Sequence, residues 1–274
     1  MSKASEPNMG FAGSVPDLYD TYLVPMIFKY YARDLAHRVS ATGAQRVLEV
    51  AAGTGAVTRS MAALLPESVS ITATDLSQPM IDRAMTIGTS RPVCWQTADA
   101  MALPFDDASF DAVVCQFGAM FFPDRAAAYA EVARVLQPNG TFLFNVWDRI
   151  EHNEFANVIS LALTEEFDDD PPTFMTRIPH GYFDRNELCS DLSRGGLGNV
   201  VSFERVVARS VAASPEVVAL AYCQGTPIRN EIMARDPSHL DKVTKIAAAA
   251  IREEFGAGEV DGTISAYVIG AKAT

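Results

Sequence analysis

The chain has 274 residues, of which 49% are hydrophobic, 20% charged and 9% aromatic. This composition is typical of a globular protein and excludes a disordered or collagen-like chain. The length corresponds to one large domain, or to one domain with an additional segment. Lys and Arg number 22 against 34 Asp and Glu, which gives a formal charge of −12. So acidic a chain has no general attraction for a polyphosphate backbone, and we expect no nucleic acid partner.

The four cysteines lie far apart in the chain, with no histidine nearby: Cys94, Cys115, Cys189 and Cys223. This spacing predicts neither disulfides nor a metal site, and it favours a reducing compartment. Residues 1–17 lack the basic and apolar regions of a signal peptide, and no apolar run approaches the ~18 residues that a membrane span needs. We therefore expect a cytoplasmic protein without a membrane span.

Strand and helix patterns alternate through the first half of the chain. Strands are predicted at Arg46–Val50, Val69–Thr74, Val93–Thr97, Phe110–Phe117 and Thr141–Trp147. Apolar residues at helical spacing predict helices between them, one of which begins at Ser77 and Pro79. A turn is expected over Gln137-Pro138-Asn139-Gly140. Strands separated by helices predict right-handed crossovers and a parallel sheet covered on both faces, which is a doubly wound α/β fold.

The pattern changes after Trp147. Amphipathic helices are predicted near residues 155–163, 185–193, 215–222 and 240–255, and two more strands at Val200–Ala208 and Thr263–Ala271. An N-terminal helix is predicted by the spacing of Ile27, Tyr31, Leu35 and Val39. We expect the late strands to complete a seven-stranded, mostly parallel, Rossmann-like sheet. The expected units are a helical cap (1–43), a core (44–147), and a helical lid with the last two strands (148–274).

A glycine-rich segment lies where the first predicted strand meets a helix, and it includes Gly53 and Gly55. Glycines let the chain turn tightly and let a ligand approach the backbone, and the following helix start offers unpaired N–H groups. These two glycines could also do no more than form the turn. Asp75 ends the second strand, 20 residues after Gly55, which suits an acid that hydrogen-bonds a ribose diol. The whole context therefore indicates a nucleotide-containing cofactor.

Two kinds of cofactor compete at this point. A nicotinamide dinucleotide site has the motif G-x-G-x-x-G, whose last glycine would fall at residue 58, and that residue is Thr58. Such a site also has no need of the acid Glu49. An NAD(P)-dependent oxidoreductase stays open as an alternative. So does a catalytically silent cofactor-binding protein that regulates a partner.

Several motifs occur in order: the glycine-rich segment, Asp75, Ala98-Asp99-Ala100, Leu103-Pro104-Phe105, the Phe110–Val114 strand and Leu136–Gly140. Over residues 44–147 this order resembles the class I S-adenosylmethionine-dependent methyltransferases. The resemblance is closest to the small-molecule branch that includes the ubiquinone/menaquinone biosynthesis C-methyltransferases. It implies S-adenosylmethionine as the cofactor and assigns roles to individual positions.

The resemblance places the glycine-rich segment under the methionine part of the cofactor. The matching positions are Glu49, Ala51, Gly53 and Gly55, and Glu49 would orient that end. The family more often has glycine where this chain has Ala51. An alanine is unstrained at this position only if its backbone keeps a negative φ, so the fit of the methionine end depends on that angle.

The same resemblance assigns the ribose and adenine sites. Asp75 would bind the ribose hydroxyls with Leu76 beside it, and Met80 would lie against the adenine. Asp99 would accept from the adenine amino group, with the backbone of Ala100 next to it.

The acceptor is expected at the end of the fourth strand, where Gln116 and Phe117 would lie beside the methyl group. Its pocket is predicted from Tyr19, Tyr22, Phe117, Met120 and Trp147, with Phe121 and Phe122 in the same loop. Because the methyl group is already activated by positive sulfur, positioning can provide much of the catalysis and a general base is optional. Weak candidates for such a base are His152, His180, Tyr19 and Tyr22.

Three acids, Glu49, Asp75 and Asp99, would point into one crevice at the carboxyl ends of the strands. They suit the sulfonium and ammonium of S-adenosylmethionine better than they suit a pyrophosphate. We therefore predict a methyltransferase that acts on a small, partly apolar molecule by in-line displacement. A homodimer stays open.

Overall fold

The structure, a computed structural model, describes Gly13 and residues 15–273. The strands are β1 (Arg46–Val50), β2 (Ser70–Asp75), β3 (Cys94–Thr97), β4 (Phe110–Gln116), β5 (Leu136–Trp147), β6 (Asn199–Ala212) and β7 (Val260–Lys272). They form one sheet in the order β3-β2-β1-β4-β5-β7-β6. Strands β1 to β5 are parallel, and β7 runs antiparallel to both β5 and β6. The predicted seven-stranded, mostly parallel α/β fold is confirmed.

Helices cover both faces of this sheet. They are α1 (Val15–Leu18), α2 (Lys29–Thr42), α3 (Ala56–Leu64), α4 (Gln78–Ile87), α5 (Arg125–Val135), α6 (Glu154–Glu166), α7 (Phe174–Arg177), α8 (Arg185–Arg194), α9 (Pro215–Gly225), α10 (Ile228–Arg235) and α11 (Leu240–Phe255). Short 3₁₀ turns lie at Ala119–Phe121, Ile150–His152 and Pro237–His239. Within the described residues, no helix is both long and apolar enough to cross a membrane.

The sheet separates two apolar cores, because side chains alternate between its faces. Val47 of β1 packs with Leu35 of α2 and Met61 of α3 on one face. Its neighbour Leu48 belongs to the larger core on the other face. The helices that follow β5 pack into that larger core, for example through Val243. The expected lid helices therefore share a core with the sheet.

The N-terminal helix differs from its prediction. A π-type helical segment, Tyr19–Phe28, joins α1 to α2, so Ile27 lies in this wider helix and not in α2. Pro25 lies within the segment and has no N–H to donate, which disfavours regular α-helical hydrogen bonding there. Residues 1–12, and with them the start of the expected cap, lie outside the described residues.

The turn predicted over residues 137–140 lies inside β5, which begins at Leu136. The strand is irregular there, because the register with β4 shifts between Phe110 and Ala112. Asn139 has a φ of 63°, a turn conformation that asparagine tolerates. The turn chemistry thus produces an irregularity within the strand, and the strand is longer than expected.

Candidate active site

A crevice opens at the carboxyl ends of β1, β2, β3 and β4, where open α/β sheets bind ligands. The loops after these strands form most of its walls, and the π-helical segment closes one side. The lining residues are Tyr19, Val50, Ala51, Gly53, Asp75, Leu76, Ser77, Met80, Ala98, Asp99, Ala100, Met101, Gln116, Phe117, Gly118, Phe121, Phe122 and Pro123.

The glycine-rich loop turns sharply between β1 and α3. Ala51, Gly53 and Gly55 have φ values of 55°, 56° and 83°. Ala51 therefore has the positive φ that strains an alanine, because the chain already begins its left-handed turn at this residue. A Cβ on Gly55 would lie 2.7 Å from the Trp95 ring, whereas one on Gly53 would meet nothing within 4 Å. Gly55 thus permits close packing, and Gly53 borders open space.

Glu49 lies behind this loop and is only 1% exposed. It accepts a hydrogen bond from the Thr58 hydroxyl, on the first turns of α3. Burial raises the pKa of Glu49 to about 8, although the Thr58 hydrogen bond and Arg59 oppose the rise. Thr58 occupies the place of the third glycine of a dinucleotide motif, and its hydroxyl donates a hydrogen bond to the buried Glu49 carboxyl group. Glu49 does not line the crevice.

The two acids that line the crevice are held by backbone N–H groups. Asp75 accepts from the N–H of Gly53 at 2.7 Å and from that of Ser77 at 2.8 Å. Burial raises the pKa of Asp75, and these two hydrogen bonds oppose the rise. Asp99 accepts from the Met101 N–H at 2.8 Å. Because Asp75 takes the Gly53 N–H, the loop does not offer that donor to a phosphate.

The end of β4 forms the opposite wall. The side-chain oxygen of Gln116 is buried and has no hydrogen-bond partner among the described residues. Phe117 has a φ of 50°, and its ring stacks on Trp147 at a centroid distance of 3.8 Å. Its N–H donates to the side chain of Asn145 at 2.9 Å. A non-glycine residue at positive φ is strained, and such strain is concentrated at functional sites.

The π-helical segment is fastened to the glycine-rich loop beside the crevice. Asp20 accepts from the Thr54 hydroxyl at 2.9 Å and from Arg59 at 3.0 Å. The preceding residue, Tyr19, lines the crevice, and its ring stacks on Phe28 at 5.0 Å. Burial, with Asp75 and Asp20 nearby, raises the pKa of the Tyr19 hydroxyl. Tyr19 therefore stays protonated and can act as a hydrogen-bond donor.

Most of the predicted cofactor positions lie together in this crevice. Those that line it are Ala51, Gly53, Asp75, Leu76, Met80, Asp99, Ala100 and Gln116. Glu49 and Gly55 lie behind its wall. Of the predicted acceptor pocket, Tyr19 and Phe117 line the crevice, whereas Tyr22, Met120 and Trp147 do not.

Six lining residues are not marked as site residues by the sequence: Val50, Ser77, Ala98, Met101, Gly118 and Pro123. Met101 could have been found, because it directly follows the Ala98-Asp99-Ala100 motif. Gly118 is needed because Ala51, after β1, lies close to it, after β4. This closeness depends on how the two strands pair, so no pattern in the nearby sequence predicts it.

Both candidate histidines bind Asp148, just after β5. His152 uses Nδ1 to bind the Asp148 carboxylate at 2.8 Å, and His180 uses Nδ1 to bind the Asp148 carbonyl at 2.8 Å. Burial lowers the pKa of His180 to about 4, so its ring is neutral at pH 7. Neither histidine lines the crevice. Across the described residues, no group of three metal-binding side chains is placed to hold a metal ion.

Comparison with known proteins identifies the family. Residues 48–144 match the model of a family described as a methyltransferase domain. This part of the chain is a methyltransferase domain. It contains β1 to β4, most of β5 and the loops that carry Ala51, Asp75, Asp99 and Gln116. The family implies S-adenosylmethionine as the cofactor.

Relatives of the methyltransferase domain include named enzymes. The chain is 34% identical over 147 residues to the ubiquinone/menaquinone biosynthesis C-methyltransferase UbiE of Citrifermentans bemidjiense, which covers 51% of this chain and 63% of that protein. It is 35% identical over 134 residues to demethylmenaquinone methyltransferase of Deinococcus radiodurans, covering 47% and 55%. The chain thus spans less than two thirds of the length of these relatives.

Solved structures share the fold of most of the chain. A putative methyltransferase from Bacillus halodurans has a TM-score of 0.56 at 17% identity, covering 88% of this chain and 98% of that one. The [4+2]-cyclase SpnF has a TM-score of 0.56 at 20% identity, covering 89% and 80%. Because a protein named as a cyclase shares the fold, the fold alone does not establish methyl transfer.

The crevice fits the methyltransferase cofactor better than a dinucleotide. S-adenosylmethionine carries positive charge and hydrogen-bond donors, and the buried Gln116 oxygen is an acceptor without a partner. Asp75 and Asp99 add carboxylate oxygens, and Met80 adds an apolar surface. A pyrophosphate would need free loop N–H groups, but Asp75 occupies that of Gly53.

Proposed function

We propose that this protein transfers a methyl group from S-adenosylmethionine to a small, partly apolar acceptor. The observation that carries the proposal is the buried Gln116 oxygen, which lacks a partner among the described residues and lies in a crevice beside Phe117. An unsatisfied buried acceptor is costly unless a ligand supplies the donor. Gln116 lies within residues 48–144, which match the methyltransferase family. This supports a crevice that binds both the cofactor and the acceptor.

The proposed cofactor residues lie along the crevice in the order of the parts of the cofactor that they would hold. Asp75 would hold the ribose, and Asp99 with Met80 would hold the adenine. Gly53 and Ala51 would lie beside the methionine part. When bound, S-adenosylmethionine supplies a methyl group that positively charged sulfur has activated.

The residues of the chain contribute orientation and exclusion of water. Tyr19 borders the crevice from the π-helical segment, and Phe117, Phe121 and Phe122 form an apolar wall. Holding two reactants in line can provide roughly 7–11 kcal/mol of the barrier reduction in favourable cases. An apolar wall of this kind supports a partly apolar acceptor.

The lining supports an acceptor whose reacting atom needs no strong base from the protein. Of the described residues that line the crevice, none is His, Lys, Cys or Glu. The two acids are held by backbone N–H groups, and Tyr19 stays protonated. An ionised oxygen, an unprotonated amine or an activated carbon would react without general-base assistance.

Calorimetry with S-adenosylhomocysteine and NADH tests the cofactor. We expect the first to bind and the second not to bind. Asp75→Ala should weaken S-adenosylhomocysteine binding by roughly 100-fold, because charge-assisted hydrogen bonds contribute about 1.5–3 kcal/mol each. Asp106→Ala, an exposed loop acid with the same change of charge, is the control. Tight binding of NADH alone would overturn the proposal.

Transfer itself is tested with methyl-labelled S-adenosylmethionine and a panel of small aromatic and aliphatic acceptors. We expect the wild-type protein to transfer label to at least one acceptor, and we expect this transfer to be lost in the Asp75→Ala variant. A protein that binds the cofactor yet transfers no label across the panel would instead support the catalytically silent alternative.

A further inference from the structure

A second groove lies apart from the cofactor crevice. It runs between the π-helical segment, α2 and α3, and it shares no lining residue with the crevice. Lys29, Arg33 and His37 of α2 line one side, and Arg59 of α3 lines the other. The role proposed for the crevice leaves this groove without a function.

The basic side chains of the groove follow one face of α2. Lys29, Arg33 and His37 are four residues apart in turn, so they point in similar directions over about 12 Å of helix. All three are exposed. A row of basic residues is unexpected in a chain with a formal charge of −12.

The two permanent cations of this row have no ion-pair partner within the part of the chain that the structure describes. Across the described residues, neither Lys29 nor Arg33 has a carboxylate within 4.0 Å, whereas Arg59 is bound to Asp20. Like charges four residues apart destabilise a helix by about 0.2–0.5 kcal/mol. The arrangement therefore has a small cost to folding that an anionic ligand would remove.

Besides the basic residues, Asp20, which is bound to Arg59, and Ser60 also line the groove, and the other lining residues are apolar. Val24 and Pro25 lie at one end and Leu64 lies on the α3 side, where it is 40% exposed. A ligand that matches this surface has an anionic head and a short apolar body. Because the cations line a concave groove between two helices, a soluble molecule fits them better than a flat membrane surface.

We propose that this groove binds a phosphate monoester with a short apolar chain. A phosphate ester carries a charge of about −1.5 to −2 at pH 7, which matches the two unpaired cations Lys29 and Arg33. Arg59 borders the groove and also holds the carbonyl of Thr54 in the glycine-rich loop. The bound ester would thus lie next to Arg59, which holds the glycine-rich loop through this hydrogen bond. The proposal does not depend on methyl transfer.

Calorimetry with hexyl phosphate tests this site. The wild-type protein should bind hexyl phosphate more tightly than inorganic phosphate and should not bind 1-hexanol. Lys29→Glu should weaken the binding of hexyl phosphate at least about tenfold, because it replaces a charge-assisted contact with a repulsive one. Lys245→Glu is the matched control, since Lys245 is also an exposed helical lysine and lies on α11.

Several results would overturn the proposal. One is the absence of hexyl phosphate binding to the wild-type protein. Another is equal weakening by Lys29→Glu and Lys245→Glu, which would mean that only net charge matters. A third is binding to phosphatidylglycerol vesicles without binding to hexyl phosphate, which would assign the basic row to a membrane surface.

Discussion

Gly118 leaves the space that the methyl group of Ala51 occupies. A Cβ atom on Gly118 would lie 2.5 Å from the Cβ of Ala51 and 2.8 Å from the sulfur of Cys115. Ala51 follows β1 and Gly118 follows β4, and these two strands are neighbours in the sheet. The contact therefore couples two loops that line the crevice.

Gly118→Ala is expected to destabilise the protein by about 1–3 kcal/mol, the usual cost of overpacking. The double variant Ala51→Gly with Gly118→Ala should recover part of this loss, because it removes the nearest obstacle. Recovery stays incomplete because Cys115 still contacts the new methyl group. Urea unfolding of the two single variants and the double variant measures the effect. Strictly additive free energies would contradict a direct contact.

Glu49 makes stability depend on pH near neutrality. Its pKa is raised to about 8, chiefly by burial, so the folded state holds a proton that the unfolded state releases near pH 4.5. The contribution of Glu49 to stability is therefore complete below pH 4.5 and decreases as pH rises towards 8. The slope for one proton is at most about 1.4 kcal/mol per pH unit.

Glu49→Gln should remove this part of the pH dependence, because the amide does not titrate. Urea midpoints from pH 5 to pH 8, measured without ligand, compare the variant with the wild type. Identical slopes in the two proteins would show that Glu49 is ionised throughout this range.

Asp20 should support cofactor binding indirectly. It holds the π-helical segment to Thr54 and Arg59, next to Tyr19 in the crevice wall. Asp20→Asn removes the ion pair with Arg59. It should weaken the binding of S-adenosylhomocysteine roughly tenfold, which is the loss expected for one charge-assisted hydrogen bond. Calorimetry measures this change. Asp34→Asn, which breaks the pair with Arg38 elsewhere on the N-terminal helices, should leave the affinity unchanged.

His180 should make the protein less stable in acid. Burial lowers its pKa to about 4 from 6.5, so between these values the unfolded state binds a proton that the folded state does not. Its contribution to stability is therefore complete above pH 6.5 and decreases as pH falls to 4. His180→Asn, whose amide can still donate to the Asp148 carbonyl, should lose less stability than the wild type between these pH values.

Urea midpoints at pH 6.5 and 4.5 test this expectation, with the exposed His37→Asn as the control. Since the His180 ring lies outside the crevice, we also expect His180→Asn to retain methyl transfer. Abolished transfer in a stably folded variant would restore His180 as a candidate base.

The sheet was predictable because its signals are local. Apolar runs bounded by turns predicted all seven strands, and the helices between the first strands required parallel crossovers. The spacing from Gly55 to Asp75 predicted that the acid and the glycine-rich loop lie together, since parallel strands end at the same edge. The hydrogen bond from Gly53 to Asp75 agrees with that expectation.

Two features of the glycine-rich loop that the sequence did not predict depend on how segments pack together. The methyl group of Ala51, a residue at positive φ, takes the space left by Gly118, 67 residues later in the chain. The position of Glu49 behind the loop depends on how α3 packs, since that packing brings in Thr58. Neither relationship leaves a periodic signal in the sequence.

The sequence by itself determined the succession of strands and helices along the chain and the glycine-rich turn, because hydrophobic periodicity and turn chemistry act over a few residues. It also named the acids Glu49, Asp75 and Asp99 as candidates for the crevice. Only the tertiary structure decided which acids line the crevice, that Glu49 is buried with a raised pKa, and that Lys29 and Arg33 have no carboxylate partner among the described residues. Those properties depend on burial and on charges brought together by packing, and neither quantity exists until the chain has folded.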